Sequence, residues 1–152
     1  MNPPNPSCVV PYLIVRDAEA AIDFYHRAFS ATETFGIEGP HNQIVHAELC
    51  IGSAVFMLTE EDSKAGYSSP LSLLGSSVSL LIYVDDVDVF IARALGAGAT
   101  LVNDIEDQFY GDRSGTIKDP FGHLWTIATQ KEELTPDEIH ERAKAFFSSQ
   151  KQ

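Results

Sequence analysis

Apolar positions along this chain change their period twice, in the same order each time. CVVPYLIV (8–15) is a continuous apolar run that reads as a strand. DAEAAIDFYHRAF (17–29) then places Ala18, Ala21, Ile22, Tyr25 and Phe29 at helical spacing. ATETFGI (31–37), QIVHAELC (43–50) and AVFMLTE (54–60) follow with strand-like content. From SVSLLIYV (77–84) the order begins again: helix DVDVFIARALGAG (86–98), with Val87, Phe90, Ile91, Ala94 and Leu95 on one side, then ATLVNDI, YGDRSGTIK and HLWTIAT. Both halves read as βαβββ. Val15 corresponds to Val84, Asp17 to Asp86, Ala31 to Ala99 and Gly52 to Gly122, at offsets of 68 to 70.

Punctuation agrees with the period. Asp17 and Asp86 are suited to accept orphan amide protons at the two helix starts, and the glycines of GAGA (96–99) suit a helix end. In DPFG (119–122) Pro120 presets a type I turn and Gly122 suits its exit. Thr135, Pro136 and Glu138 form a capping box that starts a helix to about Ser149, whose Ile139, Ala143, Phe146 and Phe147 make an apolar stripe. The predicted organisation is one α+β domain over 1–152. It comprises module 1 at 8–59, a linker at 60–77, module 2 at 78–130 and a C-terminal helix at 135–149.

Composition narrows the function. With 152 residues, 44% hydrophobic, the chain is long enough for one well-buried core. No apolar run reaches the roughly 18 residues of a membrane span, and MNPPNPSCVV has neither the basic start nor the apolar core of a secretion signal. A cytoplasmic protein without a membrane partner is expected. Cys8 and Cys50 sit in apolar runs and read as buried thiols. A net charge of −12 repels phosphate backbones, which sets nucleic acid aside. The acids cluster in TEED, DDVD and NDIEDQ, either as solvated loops or as a field that attracts a cationic ligand.

The two modules, the helix text AAIDFYHRAF, the strand text HAEL, YVDDVD, and above all YGDRSGTIKDPFGHLWTIAT together resemble the vicinal oxygen chelate superfamily. This is the glyoxalase, bleomycin-resistance and extradiol-dioxygenase group, and the likeness is to its PhnB-like branch. The resemblance implies a cupped eight-stranded mixed sheet around a cavity, commonly completed by a homodimer. Alternation then sends Ile44, His46 and Glu48 toward the cup, with Thr116 and Lys118 at the matching positions of module 2. The small-molecule-binding set expected on this face is Tyr12, His46, Glu48, Thr116, Lys118 and Thr126.

Metal-dependent members of that superfamily place one ligand on the first strand and one on the last strand of each module. Those positions fall here on Val10, Phe56 or Met57, Ser79 and Thr126, a set without imidazole or carboxylate. The expectation is therefore a protein without metal or other cofactor. The alternative is a lyase, isomerase or dioxygenase with a divalent metal relocated to His46 and Glu48, joined by His41, His123 or Asp112. Glu48 is also the candidate general base, with Lys118 stabilising charge; a plain ion pair between the two is the competing reading. His26 and His140 read as surface residues. Asp112, Arg113 and Ser114 read as strand entry, and Trp125 as core.

Overall fold

The computed structural model describes residues 7–150, so the leader reading of residues 1–10 rests mostly on residues outside this range. Among the described residues the order is β1 (Tyr12–Val15), α1 (Ala18–Phe29), β2 (Thr32–Glu38), β3 (Ile44–Ile51), β4 (Ala54–Glu60), α2 (Pro70–Leu73), β5 (Ser79–Tyr83), α3 (Val87–Ala97), β6 (Thr100–Asp107), β7 (Asp112–Lys118), β8 (Leu124–Gln130) and α4 (Pro136–Ser149). The βαβββ repeat and the C-terminal helix are as the sequence predicts. α2 is a single turn within the linker.

Local chemistry sets the helix ends. The Asp17 side chain accepts from Ala20 N at 2.9 Å and that of Asp86 from Val89 N at 3.1 Å. Gly98 closes α3 at φ 123°, a backbone conformation that a β-carbon disfavours. Thr135 and Glu138 form the reciprocal capping box with Pro136 in the first turn.

The eight strands fall into two four-stranded mixed sheets, ordered β1-β4-β3-β2 and β5-β8-β7-β6. In each sheet the first strand runs parallel to the last of its module, and the other pairings are antiparallel. The cup expected of eight strands is thus divided, within one chain, into two half-faces. The reason lies in the helices. α1 and α3 pack against each other rather than on opposite flanks, with Phe29 and Phe90 stacked 5.1 Å apart. Phe56 of β4 meets Trp125 of β8 edge to face at 5.6 Å, and Tyr25 of α1 meets the same indole at 5.8 Å. One core therefore runs between the modules, and the opposite face of each sheet lies on its outside.

Aromatic burial dominates this junction. Each such ring removes about 150–250 Å² from water, worth several kcal/mol at about 25 cal/mol per Å². Polar contacts add direction. Arg93 of α3 donates to the Arg27 carbonyl at 2.6 Å and to Ser30, at the C-terminal end of α1. Arg27 of α1 reaches the Ala97 carbonyl at the end of α3 at 3.4 Å. Each helix thus receives a cation from its neighbour where its own carbonyls lack amide partners.

Asp119 in the β7–β8 turn is buried. Its Oδ1 accepts from the amides of Phe121 and His123, and its Oδ2 from Tyr25 Oη and Trp125 Nε1. The carboxylate thus serves its own turn and also ties module 2 to α1. Gly122 leaves that turn at φ 89°, and a β-carbon there would come within 2.8 Å of Pro70, so α2 packs directly over it.

Two core expectations change. Cys8 is exposed rather than buried, because pairing of the 8–15 run begins only at Tyr12, and Cys50 is half-buried. Phe24, absent from the predicted helical face, is buried, and Leu95 is partly exposed at the periphery.

Candidate functional site on the outer sheet faces

Strand register fixes which side chains share a face. Ala47 and Leu49 of β3 pair with Leu58 and Phe56 of β4, all buried in the core, as Gly115 and Ile117 pair with Ile127 and Trp125. The residues between them point outward. One rung of the first sheet carries Phe35, Glu48, Met57 and Tyr12; the same rung of the second carries Asn103, Thr116, Thr126 and Leu81. Glu48 therefore matches Thr116, and His46 matches Ser114. This corrects the expected pairing of His46 with Thr116 and Glu48 with Lys118 by two residues. The β7–β8 turn spans 119–123, whereas the β3–β4 turn is only Gly52 and Ser53, so aligning the two glycines slides the strands.

On the first face three predicted residues meet. Tyr12 Oη lies 3.1 Å from His46 Nδ1, and His46 Nε2 lies 3.3 Å from Glu48 Oε1. The Tyr12 and His46 rings stack at 5.7 Å, and Phe35 closes on the imidazole edge to face at 6.2 Å. His46 and Glu48 keep 11% and 13% of their side-chain surface, so the phenol is the open end of this group. Burial pushes the Tyr12 pKa above its usual range, opposed by a hydrogen bond with Thr59.

On the second face the hydroxyls of Ser79, Thr126 and Thr116 form a chain, with spacings of 3.3 and 3.0 Å. Thr116 and Thr126 border an open groove of about 630 Å³ that also takes in Asp104, Glu106, Tyr110 and Ser114. Tyr83 Oη donates to Asp112 at 3.0 Å beside it, which raises the phenol's pKa. Sequence reasoning did not single out Asp104, Glu106 and Tyr110; the NDIEDQ cluster was the available signal.

Lys118 does not join either group. It is exposed at the end of β7, lines a different groove with Leu71, Leu74 and Thr100, and makes no ion pair with Glu48. His123 Nε2 donates to the Ile14 carbonyl at 2.9 Å, and His41 is exposed beside Gln43. His26 Nδ1 bonds the Ala31 carbonyl, and His140 is exposed on α4. Asp112 and Arg113 do enter β7; Arg113 pairs with Asp88 and Asp107, which holds the Asp88 carboxyl below its usual range.

The sequence pattern of the Glyoxalase/Bleomycin resistance protein/Dioxygenase superfamily matches residues 7–127. The chain belongs to this superfamily. An uncharacterized protein of Mycobacterium tuberculosis, Rv0887c, is 43% identical over 143 residues, which are 92% of this chain and 82% of that protein. The structure of the Arabidopsis thaliana gene product At5g48480 superposes with a TM-score of 0.65 at 29% identity, covering 80% of this chain and 98% of that one. TioX from Micromonospora sp. ML1 superposes with a TM-score of 0.63 at 26% identity, covering 85% and 100%.

Superfamily membership raises the question of a metal, and the geometry refines the positions to ask about. Phe56 faces the core, so the module 1 position on β4 is Met57, in the same register as Thr126. Ser79 and Thr126 lie adjacent with their oxygens 3.3 Å apart, so the second pair of positions does converge, but as two neutral hydroxyls. Val10 and Met57 offer no hard donor. Among the described residues no three His, Cys, Asp or Glu side chains come together. This donor set does not fit a divalent ion.

Proposed function

We propose that this superfamily member binds a small cationic molecule on its outer sheet faces and sequesters it unchanged, without a metal, as a cytoplasmic homodimer. The groove beside Thr116 and Thr126 carries the reading. Asp104 and Glu106 supply negative charge, Tyr110 an aromatic surface, and the hydroxyl chain acceptors, while no Lys or Arg lines it. A net charge of −12 draws a cation from further away. We assign the chain to the PhnB-like branch on its AAIDFYHRAF helix and its GTIKDPFGHLW hairpin.

The shared core supports the homodimer. Within one chain the two half-faces point outward, and Leu81 and Tyr83 remain largely exposed on β5. Apposing module 1 of one copy with module 2 of another would bring the Tyr12, His46 and Glu48 group across from the hydroxyl groove and cover the β5 residues. Titration calorimetry with metal-free bleomycin and a panel of cationic aromatic antibiotics tests the binding reading. Heat of binding should appear and affinity should fall as salt rises, since surface fields are screened over about 8 Å at physiological ionic strength. Absence of binding across the panel, or affinity indifferent to salt, overturns it.

A further inference from the structure

We propose that Tyr12 is a base-activated nucleophile, the open end of a Glu48, His46 and Tyr12 relay that reacts with acyl- or sulfonyl-type electrophiles reaching the outer face of the first sheet. The Glu48 carboxylate can only accept, so its contact at 3.3 Å assigns the proton of the neutral imidazole to Nε2. The lone pair is then on Nδ1, where it accepts from the Tyr12 hydroxyl at 3.1 Å. This is the geometry of an activated nucleophile: a hydroxyl within reach of a base, and the base oriented by a third group. The phenol is neutral at rest, its pKa raised by burial. Its reactivity depends on a base that removes the proton as the new bond forms.

The step balances as a substitution. The Tyr12 oxygen bonds to the electrophilic carbon or sulfur, the bond to the leaving group breaks with its electron pair, and the phenol proton passes to His46 Nδ1. Glu48 stabilises the imidazolium, which later releases its proton to solvent, while the leaving group departs with its electron pair and takes any proton it needs from water. His46 itself is nearly enclosed, so the imidazole serves the phenol rather than a substrate.

The chain supplies its own controls. Tyr67 and Tyr110 are 43% and 40% exposed against 42% for Tyr12, yet neither hydroxyl is bonded to an imidazole. Tyr83 is more exposed, at 59%, and is held by the Asp112 carboxylate.

Neutral phenylmethanesulfonyl fluoride, followed by peptide mass spectrometry over time, tests the assignment. Tyr12 should be modified first, at least tenfold faster than Tyr67 or Tyr110, and His46→Phe, which keeps a ring against Tyr12, should slow it about 10²-fold, the lower end of what a general base contributes. Glu48→Gln should slow it by a smaller factor. Labelling of Tyr67 or Tyr110 at the Tyr12 rate in the unaltered protein, a comparison that needs no variant, overturns the proposal. So does an unchanged Tyr12 rate in a folded His46→Phe protein. The neutral reagent reads the relay independently of the cation-binding function. Rate enhancement with 4-(2-aminoethyl)benzenesulfonyl fluoride at low salt reads the cation preference, so failure of one is distinguishable from failure of the other.

Discussion

Tyr25 of α1 donates a 2.6 Å hydrogen bond to Asp119 Oδ2, joining residues 94 apart in sequence and in different modules. Both groups are buried; burial raises the phenol's pKa well above its usual range, and the carboxylate adds to it. Tyr25→Phe should cost about 1.5–3 kcal/mol, the range for a hydrogen bond to a charged group. Asp119→Ala should cost more, because it strands the tyrosine hydroxyl, the Trp125 N–H and two backbone amides together. Urea denaturation of the two variants checks the order, and equal losses would assign the effect to packing alone.

The reciprocal arginines make a second expectation. Arg93→Ala removes donors to the Arg27 carbonyl and to Ser30 at the end of α1, and should destabilise by about 1–2 kcal/mol. Arg93→Lys should recover only part, since a single ammonium cannot reproduce the guanidinium fork. Thermal melts of both variants at low and high salt measure this.

Acid should loosen the linker through Glu61. Hydrogen bonds from Ser69, through side chain and backbone, then from Ser72, with a smaller contribution from Arg16, lower its pKa to about 2 from 4.5. The folded value lies below the unfolded one, so this contribution is complete above about pH 4.5 and is lost as pH falls toward 2. Proteolysis of the 61–75 segment should accelerate through that window in the unaltered protein. Glu61→Gln should cleave at a rate that changes less with pH there.

Charge removal in the groove should separate field from contact. Asp104→Asn with Glu106→Gln is expected to weaken a bound cationic aromatic compound about tenfold and to flatten its salt dependence. Lys118→Ala, outside that groove, should bind it equally or more tightly. Calorimetry at two ionic strengths distinguishes these results.

The dimer is tested at β5. Light scattering of the unaltered protein at micromolar concentration should give twice the 16.7 kDa chain mass. Leu81→Arg, a charge placed on an exposed apolar position of that strand, should give the monomer. A monomeric unaltered protein rules this assembly out.

Much of the fold was legible because the repeat is written in local signals. Paired aspartates, a glycine at the end of α3 and a period that alternates between 2 and 3.6 locate each element without tertiary knowledge. Strand alternation likewise placed Tyr12, His46 and Glu48 on one face. What a single sequence withheld depends on long-range packing. Phe24 is buried in part because Phe121, in the other module, packs against it at 6.0 Å. The groove acids depend on β6 lying beside β7 with a shifted register, between Asn103 and Glu106. The slip at Lys118 came from treating two hairpins of different length as one.

That difference in hairpin length divides the molecule into a place that tolerates rewriting and one that does not. Gly52 turns at φ 58°, which favours glycine, but nothing lies within 4 Å of where a β-carbon would sit, so the space beside it is open; residues 119–123 instead hold the fastening between the halves. A peptide tag or fluorophore spliced in after Gly52 should leave a folded chain, and the same graft after Pro120 should not. The two equivalent turns of the repeat serve, respectively, as a spare attachment point and a keystone.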